Sequence, residues 1–198
     1  MNIRGGGEAQ NLSTFDVQVF PSDWSLDGKH LAYTANSPGT SNDVWLLDMT
    51  GARKPAPLLQ SPFSERHAQF SPDGRWLAFT SNETGRDDVY VQSFPDAATR
   101  RMVSSGGGAY PRWGSGGREL LYRAADGRLT TTPIRFVGAS VELGTPSVVM
   151  RLVDAAGVHP YPYDVAADGR ILALTPASGG VQALTLTVLT NWQAALKQ

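Results

Sequence analysis

Phe70-Ser71-Pro72-Asp73-Gly74-Arg75 returns in altered form three more times along the chain. The other copies are Trp24-Ser25-Leu26-Asp27-Gly28-Lys29, Trp113-Gly114-Ser115-Gly116-Gly117-Arg118 and Val165-Ala166-Ala167-Asp168-Gly169-Arg170. A repeat spaced by roughly 45 to 50 residues marks a β-propeller or a solenoid, in which one unit cannot bury its own faces alone. The phrase itself is turn chemistry. Asp accepts hydrogen bonds from nearby backbone amides, and Gly supplies a positive φ at no steric cost. Asp27, Gly28, Asp73, Gly74, Gly117, Asp168 and Gly169 are therefore read as structural turn residues. The third copy has Gly116 in place of the Asp, as expected of a position that serves folding rather than catalysis or metal binding.

The flanks of each phrase repeat as well. An aromatic or aliphatic anchor precedes the turn (Trp24, Phe70, Trp113, Val165), and an apolar strand follows it: His30 to Ala35, Trp76 to Ser81, Glu119 to Arg123, Ile171 to Thr175. Polar hairpin loops come next, Asn36 to Asn42 and Asn82 to Asp87, then third strands at Val44 to Asp48, Val89 to Phe94 and Val181 to Leu189. Fourth strands are expected at Ala56 to Gln60, Arg100 to Ser104 and about Ser147 to Leu152. Four short antiparallel strands per repeat make a propeller blade. The expectation is an all-β, single-domain propeller over residues 1–198, with blades at about 14–61, 62–105, 106–153 and 158–192. A segment at 8–13 sits where a fourth strand lies in the other repeats, and the last repeat lacks its own. Pairing of the two, within one chain or between chains of a homodimer, would remove two exposed sheet edges.

Composition narrows the classes of function. Lys and Arg number 17 against 18 Asp and Glu, so no polyanion such as nucleic acid is indicated as partner. With no cysteine, thiolate metal sites, disulfides and cysteine nucleophiles are excluded. No apolar run approaches the roughly 20 residues that cross a bilayer, so membrane insertion is not expected. Met1 to Gln10 is Gly-rich and polar, unlike a secretory signal, which points to the cytoplasm for a complete gene product. Membership in a longer chain would leave an extracytoplasmic place open.

The run Phe70-Ser-Pro-Asp-Gly-Arg-Trp-Leu-Ala-Phe-Thr-Ser-Asn, followed by Asp88-Val-Tyr-Val-Gln-Ser-Phe-Pro, resembles the WD40-like repeat of TolB-type propellers. Further phrases resemble the C-terminal propeller of many bacterial serine/threonine protein kinases: Pro21-Ser-Asp-Trp-Ser, Asp43-Val-Trp-Leu-Leu-Asp, Pro62-Phe-Ser-Glu, Gly107-Gly-Ala-Tyr-Pro-Arg-Trp, Glu119-Leu-Leu-Tyr and Leu189-Thr-Asn-Trp. The resemblance runs from about residue 11 to 198 and implies a sensory or protein-binding module, often extracytoplasmic. The sequence carries no kinase motif: neither His-Arg-Asp nor Asp-Phe-Gly occurs. Propellers of that family also usually have more than four blades.

Catalytic signatures are missing. There is no Gly-x-Ser-x-Gly elbow, and His30, His67 and His159 stand apart with no His-Glu-x-x-His, so neither a catalytic set nor a metal site is expected. Gly106-Gly107-Gly108 lacks the features of a phosphate loop and reads as an inter-blade connection; no cofactor is indicated. Asp87 and Asp88 read as solvated hairpin carboxylates or partners of Arg86. A binding surface remains. Alignment on the anchors puts Asp23, Gln69, Arg112 and Asp164 at one equivalent position, polar in every repeat. Upstream lie Phe20, Arg66, His67, Tyr110, Tyr161 and Tyr163; the four equivalent residues with Arg66, His67, Tyr110 and Tyr161 are the candidates for gripping a protein segment or small ligand at the channel mouth, since aromatics and Arg are enriched at recognition hot spots. Alternatively, the four polar residues satisfy one another, with Arg112 pairing to an Asp. A propeller-associated hydrolase or lyase domain, and a self-assembling half-propeller, are the other readings.

Overall fold

The computed structural model describes residues 12, 15–51, 53–152, 162–176 and 184–189. They form four antiparallel sheets in chain order. The first holds β1 (Val19–Trp24), β2 (His30–Ser37), β3 (Ser41–Asp48) and β4 (Pro55–Leu59); the second holds β5 (Glu65–Phe70), β6 (Trp76–Ser81), β7 (Asp88–Ser93) and β8 (Arg100–Met102). The third comprises β9 (Gly108–Gly114), β10 (Glu119–Ala124), β11 (Arg128–Val137), β12 (Ser140–Leu143) and β13 (Ser147–Arg151). The fourth has β14 (Tyr163–Val165), β15 (Ile171–Pro176) and β16 (Leu184–Leu189). This is an all-β propeller architecture in which each sheet is a blade.

The turn phrase behaves as its chemistry requires. Ser71 Oγ donates to Asp73 Oδ1 at 2.6 Å, Arg75 N–H donates to the same oxygen at 3.1 Å, and Trp76 N–H donates to Ser71 Oγ at 2.9 Å. Ser25, Asp27, Lys29 and His30 repeat the pattern with distances of 2.7, 3.1 and 2.9 Å. Gly28, Gly74 and Gly169 all have positive φ. The network joins the first strand of a blade to its second and sets their register.

Alternation along the second strand of each blade stacks one sheet on the next. Leu77 and Phe79 of β6 point back into a cluster with Ala32, Val44 and Leu59, while Ala78 between them points forward to Leu120, Tyr122 and Ile134. Leu121 of β10 in turn packs forward with Tyr163, Ile171 and Ala173. Because both faces of a middle blade are covered, β6 is buried along its whole length. Among the described residues the core is thus three inter-blade layers and a fourth cluster around Tyr33, Ala35 and Leu47 of the first blade.

Several features differ from the sequence reading. The 36–42 loop is shorter than expected, because Asn36 pairs with Asn42 and Ser37 with Ser41. In the third blade β11 runs ten residues and pairs with β13 at one end and β12 at the other, an added hairpin whose tip is at Gly138. Its Phe136 stacks on Trp76 of the blade before, centroids 4.3 Å apart, which explains the extension. Of the two readings of Asp88, solvated or partnered by Arg86, the second holds: it is fully buried, with Arg86 Nε 3.4 Å from its Oδ2. Phe70 and Trp113 pack into the layers formed with the preceding blade, as does Val165, whereas Trp24 has no sheet before it in the chain and is 44% exposed. Leu12 and Phe15 lie with Tyr33, Ala35 and Leu47 of the first blade. The expected strand at 8–13 lies outside the described residues apart from Leu12, as do 181–183 of the expected last strand and the segment after Leu189.

Candidate functional site

The first strands β1, β5, β9 and β14 carry the residues singled out by the repeat. Asp23, on the first blade, feels the charges of Arg112 on the third and Asp164 on the fourth, as residues around a common axis do. Its carboxyl is pushed above the usual range chiefly by burial, against the pull of the Phe70 amide and the Arg112 guanidinium.

All four equivalent positions join blades. Asp23 Oδ2 accepts from Phe70 N–H at 2.8 Å, and Gln69 Nε2 donates to Ser22 O at 2.9 Å, so each links β1 to β5. Trp113 Nε1 donates to Gln69 O at 3.1 Å and links β9 to β5. Arg112 does the same between the third and fourth blades: its Nε meets Asp164 Oδ1 at 3.0 Å and its Nη1 donates to Pro111 O at 3.0 Å. The guanidinium is mostly buried while Asp164 is open to solvent.

Two residues before the Gln69 and Arg112 positions, the backbone turns left-handed. His67 has φ 57° and Tyr110 has φ 58°, and the strand registers shift beside both. A side chain larger than hydrogen seldom adopts this region, so such bulges mark places where surrounding structure holds a strained conformation. The first and fourth blades have Pro21 and Pro162 at the corresponding positions, whose rings hold φ negative. The two bulges meet: the rings of His67 and Tyr110 stand 4.2 Å apart. Thr80 of β6 serves both, with its hydroxyl 3.3 Å from His67 Nδ1 and 3.3 Å from the Tyr110 amide that donates to it. Burial, aided by the Arg66 and Arg112 charges, pushes the His67 imidazole down to about 3, so it is neutral near pH 7.

Arg66 goes elsewhere. It pairs with Asp87 in the β6–β7 hairpin and donates to Ser64 Oγ at 3.2 Å. Tyr161 lies outside the described residues. Thr80 enters the site beyond the sequence-based set, and Tyr163, named there, joins it: its buried hydroxyl donates to Tyr110 O at 2.6 Å and burial pushes its pKa up. The signal for Thr80 was a hydroxyl in the otherwise apolar run Trp76-Leu77-Ala78-Phe79. A separate cleft of about 440 Å³ lies between the second and third blades, lined by Trp76, Phe94, Asp96, Thr99, Phe136 and Gly138. Among the described residues no three His, Cys, Asp or Glu side chains gather as a metal centre, and no helix is long and apolar enough to cross a membrane.

No protein-family model matches the chain. Among curated proteins it is similar to the Tol-Pal system protein TolB of Wolinella succinogenes, 26% identical over 181 residues. That match covers 90% of this chain and 41% of the relative, so the chain spans about two fifths of the curated protein's length. Among solved structures it is similar to TolB from Acinetobacter baumannii, with a TM-score of 0.64 at 17% identity over 89% of this chain and 42% of the other. The β-propeller domain of the trilobed protease from Pyrococcus furiosus, described as having an open velcro topology, matches with a TM-score of 0.51 at 15% identity, over 86% of this chain and 53% of that one. Four stacked antiparallel blades and these likenesses agree: the chain has the fold of a TolB-like β-propeller.

Proposed function

We propose that this chain is a non-catalytic binding module that grips a protein segment at the mouth formed by β5, β9 and β14. It would be the sensory or interaction part of a signalling protein, of the kind whose kinase-linked propellers it resembles. One observation carries the reading: the paired left-handed bulges that set His67 against Tyr110 beside Arg112. Strain kept at the same position of two neighbouring blades fits a surface shaped for recognition. A neutral imidazole, an aromatic ring and a guanidinium together suit an extended peptide, offering stacking for an apolar side chain and hydrogen bonds for its backbone. The likeness to TolB, named as a component of a Tol-Pal system, is in keeping with contact between proteins.

Peptides selected from a displayed library on the wild-type protein provide the test. Arg112→Ala and Tyr110→Ala are each expected to weaken the selected peptides at least tenfold, with circular dichroism showing both variants still folded at the assay temperature. Peptides that bind both variants as well as wild type would place recognition elsewhere. The alternative of a hydrolase-associated propeller draws on the Pyrococcus furiosus protease domain. Turnover in a screen of hydrolase and lyase substrates, with and without divalent metal, would favour it.

Self-assembly is compatible with this reading. Among the described residues the fourth sheet has three strands, and β16 has no neighbour beyond it. Residues 8–13 of the same chain or of a second copy would complete it by strand addition. In native mass spectrometry a monomer supports completion in cis, and a dimer supports exchange between two chains.

A further inference from the structure

Blade two shows how a buried aspartate is satisfied at the corner where one blade passes to the next. Asp88 opens β7. Its Oδ1 accepts from Ser104 Oγ at 2.7 Å and from Gly107 N–H at 3.1 Å, and its Oδ2 accepts from Thr84 Oγ1 at 2.6 Å with Arg86 Nε 3.4 Å away. Both oxygens are engaged. Gly108, which opens β9 beside this corner, has no room for a side chain: a Cβ there would stand 2.9 Å from Ser104 Cβ and 2.8 Å from Tyr122.

Blade one has the same corner with one decisive change. Asp43 corresponds to Asp88, for the first pairs with Ala35 and the second with Ser81 at the same rung of the hairpin. Gln60 corresponds to Ser104, because Leu59 meets Val44 as Val103 meets Val89, and where Gly108 opens β9, Glu65 opens β5. A carboxylate side chain thus stands where the counterpart position has none, and it reaches Ser61, one residue past Gln60. Ser61 Oγ donates to Glu65 Oε1 at 2.5 Å, and Ser81 Oγ lies 3.5 Å from the same oxygen. Asp43 keeps Thr40 Oγ1 at 2.8 Å and Gln60 Nε2 at 3.2 Å, both on Oδ2. Asp43 is 0% and Glu65 1% exposed, and each retains one buried oxygen without a hydrogen-bond partner, Oδ1 and Oε2. Asn42 Nδ2 donates to Ser64 Oγ at 3.2 Å, tying together the neighbours of the two acids. Burial pushes the Glu65 carboxyl up, and the Asp43 charge adds to the rise, so the two carboxylates sense each other. Arg100 offsets part of this charge, but it is paired with Glu83 at 2.7 Å.

Two buried carboxylate oxygens without a hydrogen-bond partner call for a positive partner, because an uncompensated buried charge is strongly unfavourable. We propose that Asp43 Oδ1 and Glu65 Oε2 bind a Ca2+ ion between the first and second blades, fastening β3 to β5. The donor chemistry selects the ion. The partners of the two acids are hydroxyls and an amide, and the acids themselves supply carboxylate oxygens, which suits a hard cation. Ca2+ accepts irregular oxygen sets completed by water, whereas Mg2+ demands a near-ideal octahedron. Two carboxylates rather than three or four set a modest affinity, in the range of about 0.1–1 mM seen for extracellular modules. This inference is independent of the peptide-binding reading and uses none of the residues on which that reading rests.

The test compares wild type, Glu65→Gln and Asp43→Asn in EGTA, in millimolar Ca2+ and in millimolar Mg2+. Wild type is expected to hold one Ca2+ in native mass spectrometry and to melt about 2–4 °C higher with Ca2+ than with EGTA. Mg2+ should raise the midpoint less, and both variants should lose the bound ion and the Ca2+ response. Wild type that binds no Ca2+ and melts alike in Ca2+ and EGTA overturns the proposal, as does Ca2+ binding that survives in both variants. Stabilisation of wild type by mild acid without any Ca2+ response also overturns it, in favour of a proton shared by the two acids. Should one variant fail to fold, the other and the wild-type stoichiometry still decide.

Discussion

His67 shows how much a single residue's setting differs from its ordinary chemistry. Its imidazole is flanked by two guanidinium charges and enclosed by the blades, so the charged form is disfavoured and the neutral form packs on Tyr110. In an unfolded chain the same side chain titrates near 6.5. Between that value and about 3 the unfolded state binds more protons than the folded one, and stability is lost as pH falls through this window. The slope attributable to this group is at most about 1.4 kcal/mol per pH unit. Asp23 and Glu65 act with the opposite sign, because their carboxyls are raised on folding. The comparison that isolates His67 is therefore wild type against His67→Gln, by chemical denaturation from about pH 7 down to about pH 4. The stability advantage of wild type should shrink as pH falls; parallel curves would show that the imidazole is already solvated in the folded state. A lone His in an alternating strand gave no hint of this. Its burial comes from residues 80, 110 and 112, which only folding brings near it.

At the scale of the element, the strands were largely legible and the corners between them were not. Trp76-Leu77-Ala78-Phe79 announces a strand buried on both faces, and β6 is one. The Ser-Asp-Gly turn before it is equally plain, because every bond it makes is local. Gly106-Gly107-Gly108 reads as a connection, yet its last member has a stricter duty. Gly108 lets β9 approach Tyr122 and Ser104, and Ser104 in turn holds Asp88. Gly108→Ala is expected to cost about 1–3 kcal/mol, from overpacking at the joint between blades two and three. A thermal melt checks it, and an unchanged midpoint would mean that the joint relaxes freely. The same position filled by Glu65 one blade earlier creates the orphaned carboxylates. Neither residue's role is visible without its spatial counterpart, because the groups it meets are contributed by other strands.

For the molecule as a whole, stacking of four similar units makes stability additive over neighbouring interfaces. The inner layers are closed from both sides, whereas the face of the first blade carries Trp24 at 44% and Phe20 at 44% exposed, with Leu12 and Phe15 over part of it. The chain covers 41% of its curated relative, and the oligomeric measurement proposed above asks how a unit of this size completes its outermost sheet.

From the sequence by itself came the repeat, the propeller class, the register-setting turns and the equivalence of Asp23, Gln69, Arg112 and Asp164. These depend on local hydrogen bonding and on alternation of apolar residues, which a linear string records directly. The sequence also offered Arg112 pairing to an Asp; which Asp it is, and what the other equivalent residues bind, tertiary structure decided. Asp23 and Gln69 bind neighbouring backbone, Arg112 crosses to Asp164, Arg66 turns to Asp87, and His67 meets Tyr110 over Thr80. The physical reason is that charge pairing, desolvation and strain depend on distance in space, and here the partners stand 21 to 52 residues apart in the chain or are set by a bulge whose left-handed backbone no periodicity reveals.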